Sequence, residues 1–186
     1  MLREGIERSY LSLARARTLP EGTRERAVAE FAMRLRWHTL FDPCPRVLAL
    51  APPDGADIFR RFSDWLDQAK PSMDWTLHLH LLAWLLRDPP YAGAVDEPMV
   101  IELLAAAASK WAIFDRGPRE GIVLGSERVK KALIVGWKCR APDTGRTIEV
   151  ATLAGDLELE SLVGYAYAAG GVLESVGPLL PVTVDI

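Results

Sequence analysis

Lys131-Ala132-Leu133-Ile134-Val135-Gly136-Trp137-Lys138-Cys139-Arg140 is the stretch on which the fold is decided. It is rich in strand formers, and Leu133, Val135, Trp137 and Cys139 share one face if it is extended. Ala141-Pro142-Asp143-Thr144-Gly145 follows as turn chemistry, and then Arg146-Thr147-Ile148-Glu149-Val150-Ala151-Thr152-Leu153 reads as a second strand. Two such runs around a short polar segment predict a β-hairpin.

Upstream the periodicity changes to that of helices. Leu2, Ile6, Tyr10 and Leu13 recur at helical spacing. Thr18-Leu19-Pro20-Glu21 reads as a capping box for a second helix carrying Val28, Phe31, Ala32 and Leu35. Phe41-Asp42-Pro43-Cys44-Pro45 breaks it, and the apolar run Arg46 to Ala51 reads as a short buried strand. Ile58, Phe59, Phe62, Trp65 and Leu66 mark a strongly amphipathic helix. Another starts near Ser72 or Asp74 and stops at Asp88-Pro89-Pro90, and a third runs from near Asp96 to Trp111. Beyond the hairpin, Asp156 is placed to cap a helix presenting Leu159, Leu162, Val163 and Ala166, and Val182-Thr183-Val184 reads as an edge strand.

Helices first and strands last favour an α+β fold over an alternating parallel sheet. The expectation is a single α+β domain over residues 1–186, with a helix-rich N-terminal two-thirds packed on a small, mostly antiparallel sheet from the C-terminal third. The six tryptophans, Trp37, Trp65, Trp75, Trp84, Trp111 and Trp137, are spread over both parts and suggest one shared core. The weak point for a hinge is 117–125.

The bulk composition is that of an ordinary globular chain: 186 residues, 49% hydrophobic and 25% charged. No apolar run reaches the roughly 18 residues of a membrane span, and the start lacks the apolar block of a secretory signal. Cytoplasmic residence follows by elimination. Cys44 and Cys139 make no disulfide framework and read as reduced thiols. The net charge of −3 is uneven: residues 1–46 carry +3 and residues 141–186 carry −6.

No motif assembles a catalytic constellation. His78 and His80 would share a zinc ion in a strand, but in a helix they diverge by about 200°, and no third ligand stands at a recognisable spacing. Asp143-Thr144-Gly145 matches the active-site tripeptide of aspartic proteases, yet it sits at a hairpin tip, where Asp and Gly need no catalytic explanation. Neither a metal nor a cofactor is expected. The N-terminal arginines Arg24, Arg26, Arg34 and Arg36 are interleaved with Glu21, Glu25 and Glu30, unlike the net basic footprint of a nucleic-acid binder.

The leading expectation is therefore a non-catalytic protein-interaction domain, an adaptor or a toxin-neutralising immunity protein. It would hold a basic partner on an acidic C-terminal surface formed by Asp143, Glu149, Asp156, Glu158 and Glu160. A small enzyme with His78, His80 or Asp74 near a pocket is the first alternative, and a nucleic-acid binder using the N-terminal arginines is the second.

Overall fold

A computed structural model describes residues 18–72, 74–114, 121–126, 133–141, 145–153, 163–167 and 180–182, with 133–141 and 145–153 described at the level of backbone. The chain divides into two compact units, Met1–Pro71 and Ser72–Ile186. The fold class is α+β, with helices in the first unit and helices on an antiparallel sheet in the second.

In the first unit, α1 (Arg24–Phe41) is followed by α2 (Pro45–Ala49) and α3 (Ala56–Ala69). The cap of α1 is Thr23, whose hydroxyl accepts from the Arg26 N–H at 3.2 Å. The expected box at Thr18 and Glu21 is displaced because Thr18 itself has helical backbone and Pro20 follows it. The expected strand over 46–51 is instead the short helix α2. Pro45 in its first turn loses no hydrogen bond there and is preset for helical φ, and five residues of apolar sequence do not distinguish helix from strand. Ala29, Met33, Leu40 and Phe41 of α1, Val47 of α2, and Ile58, Phe62, Trp65 and Leu66 of α3 are buried. Trp37 donates its indole N–H to the Asp54 carbonyl at 2.9 Å, fixing the α2–α3 loop against α1.

The second unit opens with α4 (Leu77–Leu85), α5 (Pro89–Ala92) and α6 (Glu97–Phe114). Helix α4 is apolar nearly all round, and eight of its nine residues are buried. Asp96 starts α6 by accepting from the Met99 N–H at 2.9 Å. Strands β1 (Gly121–Ser126), β2 (Leu133–Ala141), β3 (Gly145–Leu153), β4 (Val163–Tyr167) and β5 (Leu180–Pro181) form one sheet in the order β3-β2-β1-β4-β5, antiparallel throughout.

The hairpin is β2–β3, in register from Leu133 opposite Leu153 to Ala141 opposite Gly145. An edge strand near the C-terminus is paired at Leu180 and Pro181, ahead of the expected 182–184: Val182 follows the strand, and 183–184 lie outside the described residues.

Two further expectations change in the second unit. Residues 163–167 are strand β4, not the end of a helix: Val163, Tyr165 and Tyr167 alternate with small residues, a period-2 pattern in strand-forming types. Residues 121–126, in the stretch read as a hinge, are the central strand, buried at every position. The glycines of this strand serve close packing. Gly121 and Gly125 lie two pleats apart on one face. A side chain at Gly125 would come to 3.0 Å from Leu82 of α4 and Val100 of α6, and one at Gly121 would meet the Trp111 ring of α6. Their missing side chains let the helices lie close on the sheet.

The tryptophans are distributed accordingly. Trp37 and Trp65 belong to the first unit, and Trp75, Trp84, Trp111 and Trp137 to the second. No helix among the described residues is long and apolar enough to cross a membrane.

Candidate functional site

Three groups with perturbed proton affinity lie in the second unit, Asp74 interacting with both His80 and Tyr165, at a cluster of four aromatic rings. Such a grouping is a mark of functional sites.

The polar part is built on the turn that precedes α4. Asp74 Oδ1 accepts from the Thr76 N–H at 2.8 Å and from the Thr76 hydroxyl at 2.7 Å, and Oδ2 accepts from the Ser72 hydroxyl at 2.7 Å. A short carboxylate side chain reaching the N–H two residues on is the Asx turn that Asp favours. One helical turn later, His80 donates its backbone N–H to the Thr76 carbonyl at 3.0 Å, so the same turn that holds the carboxylate seats the imidazole.

The aromatic part lies immediately beside it. Trp75 stacks on Trp111 of α6 with centroids 4.2 Å apart and planes 7° from parallel. Tyr165 of β4 meets Trp75 edge-on at 4.9 Å. Tyr167, two residues along the same strand face, meets Trp111 edge-on at 5.4 Å. Offset-stacked and edge-on pairs each contribute about 0.5–1.5 kcal/mol beyond their burial. Trp75 and Trp111 are buried, whereas both tyrosines are half-buried and keep one side open.

The electrostatics follow from these contacts. Burial disfavours ionised Asp74, but the Thr76 N–H, the Ser72 and Thr76 hydroxyls and the field of His80 outweigh it and hold the carboxyl below its usual range. Burial pushes the His80 imidazole below its ordinary value against the pull of Asp74. Burial raises the Tyr165 phenol, and Tyr167 and Asp74 push it the same way. At neutral pH the site therefore holds a carboxylate, a neutral imidazole able to accept a proton, and a neutral phenol able to donate a hydrogen bond.

Of the residues singled out in the sequence, Asp74 and His80 come together here and His78 does not join them. His78 is fully buried, on a different side of α4. Among the described residues no group of three His, Cys, Asp or Glu could hold a metal ion. Cys44 is a buried cysteine outside any disulfide, at the start of α2. Of the five acids expected to form a partner surface, Glu149 lies on the edge strand β3 opposite Trp137, while Asp143, Asp156, Glu158 and Glu160 lie outside the described residues. Tyr165 and Tyr167 went unrecognised. Their Tyr-x-Tyr alternation is the signal that places both rings on one strand face.

The model of the MbnC-like family, methanobactin biosynthesis cassette proteins, matches residues 16–176. A comparison with curated proteins finds no match. The family match overturns the expectation of an immunity or adaptor protein: the chain's relatives are defined by a biosynthetic cassette, not by neutralising a toxin. The physical reason for the misreading is that the absence of a catalytic motif in one chain does not separate an interaction module from a component of a biosynthetic system.

Proposed function

The chain belongs to the MbnC-like family of methanobactin biosynthesis cassette proteins, and from that premise we propose that it takes part in making methanobactin together with another protein of its cassette. The observation that carries the reading is the extent of the match, which runs through both compact units and includes Asp74, His80, Tyr165 and Tyr167. The product of a cassette is the work of several chains, so a component of this size has a natural role beside a second protein. The half-exposed tyrosines and the preorganised carboxylate provide a surface with π-faces and hydrogen-bonding groups fixed before anything binds, which lowers the ordering cost of association.

A second reading is attached to the same cluster: that Asp74, His80 and Tyr165 hold or move a proton in a step of that biosynthesis. Its support is the pairing of an ionised carboxylate with a neutral imidazole at pH 7.

One experiment addresses both. The cassette is expressed with and without this chain, and with Asp74→Asn, His80→Gln and Tyr165→Phe variants, and methanobactin is quantified by mass spectrometry. Loss of product without the chain supports the first reading, and undiminished product refutes it. Product falling at least tenfold in a variant that still melts like the wild type supports the second, whereas full production by all three variants refutes it.

A further inference from the structure

We propose that the outer face of α1 is a docking surface for an acidic, apolar segment of another protein of the cassette. This rests on the reading above that the chain works with such a partner, and it names the surface and the chemistry that fits it.

Helix α1 buries Ala29, Met33, Arg36 and Leu40 on one side and turns the opposite side outward. Large apolar side chains occupy that outer side: Val28 is 43% exposed, Phe31 68% and Leu35 58%. At about 100° per residue, positions 28, 31 and 35 fall within about 60° of one another. Scattered exposed apolar residues are normal, but a contiguous stripe on one helix face marks an interaction site.

The stripe adjoins a concavity. Met33, Arg34, Trp37 and His38 of α1 and Phe59 of α3 line an open cavity of about 210 Å³. A dry apolar cavity of about 150 Å³ holds a benzene ring, so this one has room for a single bulky side chain. A ridge of exposed aliphatic and aromatic groups beside a pocket for one anchor is the arrangement in which binding energy concentrates.

Charge identifies the occupant. Arg24 and Arg34 are exposed, and helical spacing puts both within about 60° of Phe31. Among the described residues, neither has a carboxylate within ion-pair distance. The acids of the helix lie elsewhere. Glu25 and Glu30 are turned about 100° or more from Phe31, and Glu30 already accepts from Arg26 at 2.6 Å. The centre of the face, around Phe31, is thus apolar with two cations that have no carboxylate within ion-pair distance, and Glu25 borders it only at the Val28 end. His38, paired with Asp42 at 3.1 Å, closes its C-terminal end. A segment that places carboxylates against Arg24 and Arg34 and an apolar side chain in the pocket complements it. A second copy of the same face would oppose arginine to arginine, a like-charge juxtaposition that disfavours self-association.

The test uses the full chain and each of the other cassette proteins, purified singly and titrated pairwise by calorimetry. The variants are Phe31→Glu, Leu35→Glu and the double change Arg24→Glu with Arg34→Glu. All sit on exposed positions, and thermal melts confirm that each remains folded. Gln68→Glu, exposed on α3, is the control. The wild type is expected to bind one cassette protein. Phe31→Glu and Leu35→Glu should each weaken that binding at least tenfold, the arginine pair should weaken it and flatten its salt dependence, and Gln68→Glu should leave it unchanged. Binding by the wild type that all the variants retain within twofold overturns the surface while leaving the partner reading intact. No binding to any cassette protein overturns the partner reading and this surface with it. Two other results overturn the assignment of occupant: a concentration-dependent dimer abolished by Phe31→Glu in sedimentation, or binding to phosphatidylserine vesicles lost in the same variant.

Discussion

A methyl group added at Gly121 is the sharpest probe of how the second unit is packed. Gly121 begins the central strand, opposite Tyr167 on one side and Lys138 on the other. Built in place, the new carbon overlaps Trp111 Cη2, stands 2.8 Å from Trp111 Cζ3 and lies 2.6 Å from the Ala166 carbonyl oxygen. Carbon atoms in contact prefer about 3.5–4.0 Å. The ring has nowhere to retreat, because Trp111 is fully buried and stacked on Trp75 at 4.2 Å, and the oxygen belongs to the neighbouring strand. Overpacking a core costs about 1–3 kcal/mol, and a clash with both an immobile ring and backbone belongs at the top of that range.

At about 2–4 °C per kcal/mol for a chain of this size, Gly121→Ala should melt about 6–12 °C below wild type. Its urea midpoint should fall with the slope unchanged. Gly125→Ala is the internal comparison. Its nearest neighbours are methyl groups of Leu82 and Val100 at 3.0 Å, which can shift by a few tenths of an ångström, so its cost should be about 1 kcal/mol. Gly93→Ala meets nothing within 4 Å and should change stability by less than about 0.5 kcal/mol. The order 93, 125, 121 is the prediction. If Gly121→Ala melts within a degree of Gly93→Ala, the Trp111 ring does not lie over β1 and the account of the glycines is wrong.

Stability should also respond to pH through the groups around Asp74. The folded-state value of His80 lies below its ordinary 6.5, so the folded protein binds fewer protons than the unfolded one as pH drops past that point. The His80 contribution is therefore full above about 6.5 and is lost as the pH falls. Urea midpoints measured from pH 8 to pH 5 should decline, and His80→Gln should remove part of the decline; a flat profile in the wild type refutes the assignment. Asp74 has the same sign in a lower window, beginning near 3.8. Tyr165 has the opposite one, with stability falling as pH rises past 10.0. In the first unit, Thr23→Ala removes the cap of α1 and should cost about 1 kcal/mol, read as a lower urea midpoint. Glu21→Ala, at the position the sequence suggested for a capping box, should cost less than half of that.

What could be read in the sequence was what local patterning controls. The hairpin β2–β3 was legible because period-2 apolar runs and turn residues specify it without help from the rest of the chain. Helix α6 was legible from Asp96, a side chain that caps its own helix. The strand β4 was not, because Val163, Ala166 and the residues before them fit helical spacing as well, and the deciding partner is β1, some forty residues earlier. Nor was β1. Six residues with glycine near each end resemble a linker until α4 and α6 are known to press on them. The site was legible in half: Asp74 and His80 lie close in sequence, while Tyr165 reaches them only through the sheet. Function was least legible, since membership in a biosynthetic family depends on residues spread from 16 to 176 and leaves no compact motif.

The candidate site and the core are joined through three consecutive residues, and that bears on how the site keeps its shape. Asp74 accepts, Trp75 stacks and Thr76 donates. A carboxylate on an exposed turn would ordinarily sample many conformations, and its hydrogen bonds alone contribute modestly. Here the next residue stacks its ring on Trp111 and meets Tyr165 edge-on, and those two rings also meet each other at 6.2 Å, so the turn cannot move without breaking the aromatic cluster. The same cluster positions Tyr165, whose phenol feels the charge on Asp74. Helix α6, the central strand and β4 thereby act together as the rigid support that a preorganised site requires. The packing at Gly121 and the chemistry at Asp74 are consequently two ends of one structure, because Trp111 is the ring that makes both possible.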